Sequence, residues 1–279
     1  MVKDSLDSRP GALLRGISLL AICAVLFLST GKCGADPYPS KRKTMDDVAA
    51  VVMSLKGGGS IVRAGTGVRS TMARGDVIFV GDQANLSIGA KLYLSFDPRG
   101  LDSIRFEGPC TITFSAPTQV EMSHGKASVM LENRNTLRLF KINTPGAVAS
   151  ARNAEFVVEI KEQGAEVRAH KSKVDVYGVN PMGAAKPPGV TVQAGQKASV
   201  SQIGESPIED PVAMSAQESR EMEPVQRETQ RASEWMQSQP THWIDDQIES
   251  ENENEDKAVR ESTTSAPPPI DSEKSKFLF

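Results

Sequence analysis

Hydrophobic positions fall into three regimes along the chain. The first is an apolar run, Ile17 to Leu28, broken only by Ser18. At ~1.5 Å per residue it would reach roughly 18 Å, short of the ~30 Å hydrocarbon core of a bilayer. Lys3, Arg9 and Arg15 precede it, and Cys33-Gly34-Ala35 gives a small-residue exit. This pattern predicts a signal peptide over residues 1–35, cleaved between Ala35 and Asp36. The alternative is lipidation at Cys33, although Lys32 departs from the small residue usual before such a cysteine. A buried N-terminal helix would need amphipathic spacing, which the run lacks. Residues 36–45, with Lys41-Arg42-Lys43, read as a polar linker.

The second regime, residues 46–204, is a series of short apolar segments separated by turn residues. Val48 to Leu55 stops at Gly57-Gly58-Gly59. Further segments are Ser60–Arg63, Asp76–Val80, Ala84–Ile88, Lys91–Phe96, Ser103–Phe106, Thr111–Phe114, Gln119–Met122, Ala127–Leu131 and Leu137–Asn143. The clearest period-two alternation is Phe156, Val158 and Ile160 against Val157 and Glu159. Gln163-Gly164 turns the chain, Val167 and Ala169 return, and Val174 and Val176 follow. Val190–Gln193 and Lys197–Val200 close the region. Turn signals roughly every 8–12 residues predict an all-β fold, a compact module of short stacked strands, sandwich-like or solenoid-like.

The third regime, residues 205–279, is rich in Gln, Glu, Ser and Pro. Its sparse apolar surface would not offset a backbone ordering cost of ~1–2 kcal/mol per residue, which predicts a disordered acidic tail. A short helix over 225–239 is the exception, because Val225, Thr229, Ala232 and Met236 share one face. Both tryptophans, Trp235 and Trp243, lie in this tail. The segment is expected to fold back on the protein's own sheet, with contact to a partner through Trp235 and Trp243 as the alternative. Glu249 to Asp256 reads as a solvated acidic run.

Composition adds constraints. With 39% hydrophobic but 5% aromatic residues, the core must be mainly aliphatic. Three cysteines cannot supply a disulfide framework or a four-cysteine zinc site; a lone Cys110 left after export should be buried and inert. The net charge of -3 conceals an asymmetry. Residues 205–279 hold 18 acidic and 7 basic groups, net -11, leaving 25 basic and 17 acidic before them, net +8.

No catalytic constellation emerges. His124, His170 and His242 show no metal-ligand spacing and read as solvated surface histidines. There is no Gly-x-Ser-x-Gly elbow. Gly65-Thr66-Gly67-Val68-Arg69-Ser70 lacks a βαβ context, and Gly125-Lys126 lacks the upstream P-loop glycine. Asp76 and Asp82 flank turns, where carboxylates accept backbone hydrogen bonds. The sequence therefore predicts no enzyme, no cofactor and no metal. Nucleic acid is excluded as a partner, because residues 44–204 carry net +4 without a basic-aromatic stripe and the acidic tail opposes phosphate.

Residues 48–200 resemble a FecR-type domain of bacterial envelope proteins. Arg74-Gly75-Asp76 through Gly81-Asp82 is similar to that family's paired Gly-Asp turns. Gly125-Lys126-Ala127-Ser128-Val129 resembles its strand opening, and Ala194-Gly195-Gln196 its closing turn. The most specific stretch has Thr144-Pro145, a short apolar run, then Arg152, Glu155 and Phe156. Asn153 and Ala154 stand where the family has Gly and Thr; a left-handed Asn153 would preserve the turn. Pro145 fixes its own φ and holds Thr144 extended, while Arg152 and Glu155 are placed to pair with each other or with backbone. These residues are expected to shape the fold.

The resemblance implies an exported, non-enzymatic envelope protein whose β domain binds a protein, a cell-wall glycan or a small polar ligand. An accessory sensor touching a membrane partner is the alternative, and a cell-wall enzyme a more distant one. Sixteen residues ahead of the apolar run are too few for a folded cytoplasmic regulatory domain, so direct sigma-factor control is not expected. An envelope protein or cell-wall component is the expected partner in the periplasm or cell envelope. Membrane association is expected only through a lipid on Cys33.

Overall fold

The computed structural model describes residues 42–132, 139–180, 184–201, 208–240 and 242–264, all within the unit Pro39–Phe279. The expected leader 1–35, with Cys33, Ala35 and Asp36, lies outside the described residues, as do residues 36–41 of the linker.

A 3-10 turn, Met45–Asp47, leads into the strands. These are β1 (Val48–Lys56), β2 (Gly59–Val62), β3 (Arg69–Thr71), β4 (Val77–Phe79), β5 (Gln83–Leu86) and β6 (Lys91–Ser95). There follow β7 (Asp102–Glu107), β8 (Cys110–Ala116), β9 (Gln119–Met122), β10 (Lys126–Leu131), β11 (Phe140–Asn143) and β12 (Ala147–Ala151). The series ends with β13 (Glu155–Lys161), β14 (Gly164–Lys171), β15 (Lys173–Val179), β16 (Ala185–Gln193), β17 (Gln196–Ser201) and β18 (Val212–Ala213). Three helices close the chain: α1 (Ala216–Ser219), α2 (Met222–Gln237) and α3 (Trp243–Thr264).

The strands form two nine-stranded sheets. Sheet A has the order β18-β17-β14-β13-β10-β7-β6-β1-β4, and sheet B the order β16-β15-β12-β11-β9-β8-β5-β2-β3. Neighbours are antiparallel except β9 and β11, which run parallel. The chain crosses repeatedly between sheets while advancing along both in the same direction. The module is a sandwich assembled with a solenoid's sequential progress.

Period-two alternation decides which side chains meet between the layers. Leu92, Leu94, Ile104, Phe106, Phe156 and Val158 of sheet A share one core with Ile61, Ile112, Phe114, Val120, Ile142 and Val176 of sheet B. Cys110 belongs to this core, and burial pushes its thiol up to about 12, which keeps it unreactive at neutral pH. The outer face of sheet B is polar, with Gln119, Lys141, Ser150, Asp175 and Thr191 aligned across five strands.

The outer face of sheet A is apolar at one end, and this overturns the expected disorder for residues 208–264. Val51, Met53, Val77, Phe79 and Tyr93 point away from the inter-sheet core and pack against Ala232 and Met236 of α2 and Ile244 and Ile248 of α3. Met130 and Val157 likewise meet Met222 and Val225. The expected helical stripe Val225, Thr229, Ala232 and Met236 is buried in α2. That helix starts earlier than 225 because Pro224 lies in its first turn, where no intrahelical N–H bond is lost.

Three strands were not legible as strands. All residues of β3 are exposed, so it shows no alternation. The small side chains of β12 are buried throughout, and β18 has only two residues.

Candidate functional site

The family-like residues divide into fold-building groups and one cavity residue. Asp82 is fully buried. Its carboxylate accepts from the Phe79 N–H at 3.1 Å, the Ala64 N–H at 2.9 Å and the Arg63 guanidinium at 2.7 Å. Gly81 precedes it at φ +93, and a Cβ there would lie 2.8 Å from that of Ala64, so the turn excludes side chains. Asp76 accepts from the Ala73 N–H at 2.6 Å. Gly75, at φ +94, sits under the rings of Trp235 and Trp243.

Thr144 closes the β11–β12 hairpin. Its hydroxyl donates to the Ala147 carbonyl at 3.0 Å and accepts from the Ala147 N–H at 2.9 Å. Pro145 occupies the exposed turn between them. Phe156 is fully buried in the inter-sheet core. At the last turn, Gly195 donates its N–H to Ala169, and the Gln196 side chain accepts from the Gln193 N–H at 3.0 Å. Among the described residues, Ser172 is the one non-glycine with positive φ. Asn153 therefore needs no left-handed backbone, and Ala154 fits its position by being fully buried.

Arg152 and Glu155 diverge. Glu155 turns to the outer face of sheet A, where it accepts from Gln226 at 2.7 Å and Lys171 at 3.2 Å. Arg152 is exposed and lines the mouth of a cavity of about 210 Å³. The walls include Val48, Ala50, Leu131 and Phe140 from the two sheets, Phe96 just past the end of β6, and Ile244 from α3. The Phe96 and Phe140 rings are 4.8 Å apart and tilted by 56°. Thr118, on the β8–β9 turn, and Pro98, on the β6–β7 loop, also line it.

Most other charged groups in the core of sheet A's outer face are engaged in holding the tail. Arg168 bonds Glu221 through Nε and Glu159 through a terminal nitrogen, each at 2.7 Å, and also pairs with Glu166. Glu221 receives Lys126 at 2.9 Å and His170 at 3.1 Å. Burial opposes the Glu221 charge, but hydrogen bonds from His170 and Lys126 and the charge of Arg168 outweigh it and hold the carboxyl at about 2. His170, only 6% exposed in its side chain, is thus not the solvated histidine expected. Its Nε2 faces the carboxylate of Glu221, the residue that precedes α2.

The remaining tail carboxylates follow suit. Glu218 bonds Lys197 at 2.6 Å, and Glu228 bonds Lys56 at 2.8 Å. Glu251 pairs with Arg63, and Glu255 with Lys43. Asn252 accepts from the Lys43 N–H and donates to the Lys43 carbonyl. Lys43 is therefore tied to α3, unlike the solvated linker residue expected. Trp235 and Trp243 contact edge to face at 5.8 Å, and the Arg74 guanidinium lies 4.0 Å above the Trp235 ring. Both tryptophans serve the protein's own fold in this way.

Among the described residues no cluster of His, Cys, Asp and Glu could hold a metal ion. The cavity leaves no mark in the sequence because it is assembled from seven separate stretches of the chain. Arg152 was singled out there, but as a turn residue.

No family model and no curated protein matches the chain. Two crystal structures of a candidate anti-sigma factor from Parabacteroides distasonis are similar to it, at 16% and 15% identity and TM-scores of 0.39 and 0.38. Each similarity covers 48% of this chain and 61% of that one.

Proposed function

We propose that this chain is an exported, non-enzymatic module of the bacterial envelope, related to FecR-type domains, that acts by binding an envelope component at the cavity beside Arg152. One observation carries the reading. The most specific family-like stretch, Thr144 to Phe156, delivers Arg152 to the mouth of an apolar cavity between the sheets. Concave, mainly apolar pockets with a few convergent polar groups are where binding energy concentrates.

The test is capture from detergent-solubilised envelope and from isolated cell wall. The wild-type chain should retain a specific component, and Thr118→Trp, which plugs the cavity from its rim, should lose it. Equal capture by both proteins would refute the reading. Turnover of labelled peptidoglycan would replace it with an enzyme.

A further inference from the structure

We propose that the groove between α2 and the outer face of sheet A binds a phosphate-bearing anion, a phosphomonoester or diphosphate. Ser54 and Lys56 of β1, Tyr93 of β6, Arg74 of the β3–β4 connection, and Glu228 and Arg231 of α2 line it. The groove shares no lining residue with the cavity beside Arg152 and stands apart from the reading given to that cavity.

The charge pairing of the tail breaks at this point. Elsewhere tail carboxylates meet module cations, as Glu218 meets Lys197 and Glu251 meets Arg63. Here an arginine of the tail shares a groove with cations of the module. The one carboxylate of the lining is already committed. Glu228 accepts from Lys56 at 2.8 Å, and its other oxygen lies 3.9 Å from the Arg105 guanidinium. Lys56 and Glu228 therefore cancel, and the charges of Arg74 and Arg231 remain. Neither forms an ion pair among the described residues. Arg74 lies 4.0 Å over the Trp235 ring; that contact uses the face of the guanidinium and leaves its N–H edge to donate. Two like charges in one groove repel, and an anion between them turns the repulsion into attraction.

A buried donor points the same way. Tyr93 is 1% exposed, and its hydroxyl accepts from the Arg105 guanidinium at 3.4 Å. Among the described residues no acceptor takes the phenolic proton, so the hydroxyl keeps a donor for the groove. Two uncancelled positive charges suit a phosphate dianion. Its oxygens point in several directions, which matches donors arriving from a strand, a connection and a helix, and guanidinium forks bind such oxygens with direction. Arg74 and Arg231 are exposed, so the anion reaches them from solvent. Because Arg74 belongs to the module and Arg231 to the tail, the anion bridges the two.

Pyrophosphate, titrated calorimetrically into the full chain at low salt, tests this. It should bind at one site with a Kd below about 1 mM. Arg231→Gln, an exposed substitution on α2, should weaken binding about tenfold, and Tyr93→Phe, which keeps the ring, about threefold. Lys141→Gln removes one positive charge from the outer face of sheet B and should change the affinity less than about twofold. Saturating pyrophosphate should also raise the melting temperature of wild type and not that of Arg231→Gln. Vesicles of phosphatidylcholine, with and without phosphatidic acid, separate the sources of the phosphate. Recruitment that needs phosphatidic acid and is lost in Arg231→Gln assigns a lipid headgroup; pyrophosphate binding without recruitment assigns a soluble phosphate compound. Failure of both probes to bind saturably would overturn the proposal, as would equal losses in Arg231→Gln and Lys141→Gln, which would mark a diffuse charge effect. Should Arg231→Gln misfold, Tyr93→Phe against Lys141→Gln makes the same comparison.

Discussion

Glu221→Gln probes how the acidic tail is fastened to the basic module. The substitution keeps the size but removes the charge, and one of the two accepting oxygens, that Arg168, Lys126 and His170 surround. The Glu221 carboxyl is held at about 2 against an ordinary value of 4.5. A difference of about 2.5 pH units corresponds to at most ~3.4 kcal/mol, at ~1.36 kcal/mol per unit. The side chain is 17% exposed, and solvent screening reduces the usable share to ~1–2 kcal/mol. Because the folded-state value is lowered, this stabilisation is complete above about pH 4.5 and fades as pH falls toward 2. Urea unfolding at pH 5 and at about pH 2.5, followed by circular dichroism, measures it. Wild type should lose ~1 kcal/mol or more beyond what Glu221→Gln loses over that interval, and the variant should be the less stable of the two at pH 5. Parallel pH profiles, or a variant as stable as wild type at pH 5, would show that the Glu221 cluster does not secure the tail.

Other expectations follow from the same contacts. Asp82→Ala leaves the Arg63 guanidinium, 6% exposed, without its buried carboxylate and should cost ~3–5 kcal/mol in chemical denaturation. Val158→Pro removes a ladder donor in β13, which is paired on both sides by Ala127 and Val167; it should abolish the cooperative thermal transition, since Pro in a central strand is not tolerated. The intact mass of exported protein should begin at Asp36, and a lipid adduct on Cys33 would contradict simple cleavage.

The β-module was largely legible because strands such as β8 and β13 carry their own alternation. In β13, Phe156 and Val158 enter the inter-sheet core while Val157 faces α2, as period two requires. In α3 the same logic fails. Ile244 and Ile248 make two turns of an apolar stripe, but the next inward positions are Glu251, Asn252 and Glu255, which meet Arg63 and Lys43. A helix that docks by ion pairs shows no hydrophobic period and looks like a solvated acidic run. Two signals were nevertheless present. The charge asymmetry, net -11 in the tail against net +8 before it, matches the pairing of Glu218, Glu221, Glu228, Glu251 and Glu255 with Lys197, Arg168, Lys56, Arg63 and Lys43. Ser215-Ala216-Gln217-Glu218 is a capping box, and the Ser215 hydroxyl accepts from the Glu218 N–H. The cavity left no linear trace, because its walls come together only when both sheets and α3 are in place.

Amide chemical-shift mapping of the isotopically labelled chain, with and without solubilised envelope, tests the central claim most directly. Perturbed resonances should cluster at Ser95–Asp97, Thr118, Phe140 and Arg152 around the cavity mouth. Shifts confined to the polar outer face of sheet B, at Lys141, Ser150, Asp175 and Thr191, would contradict it.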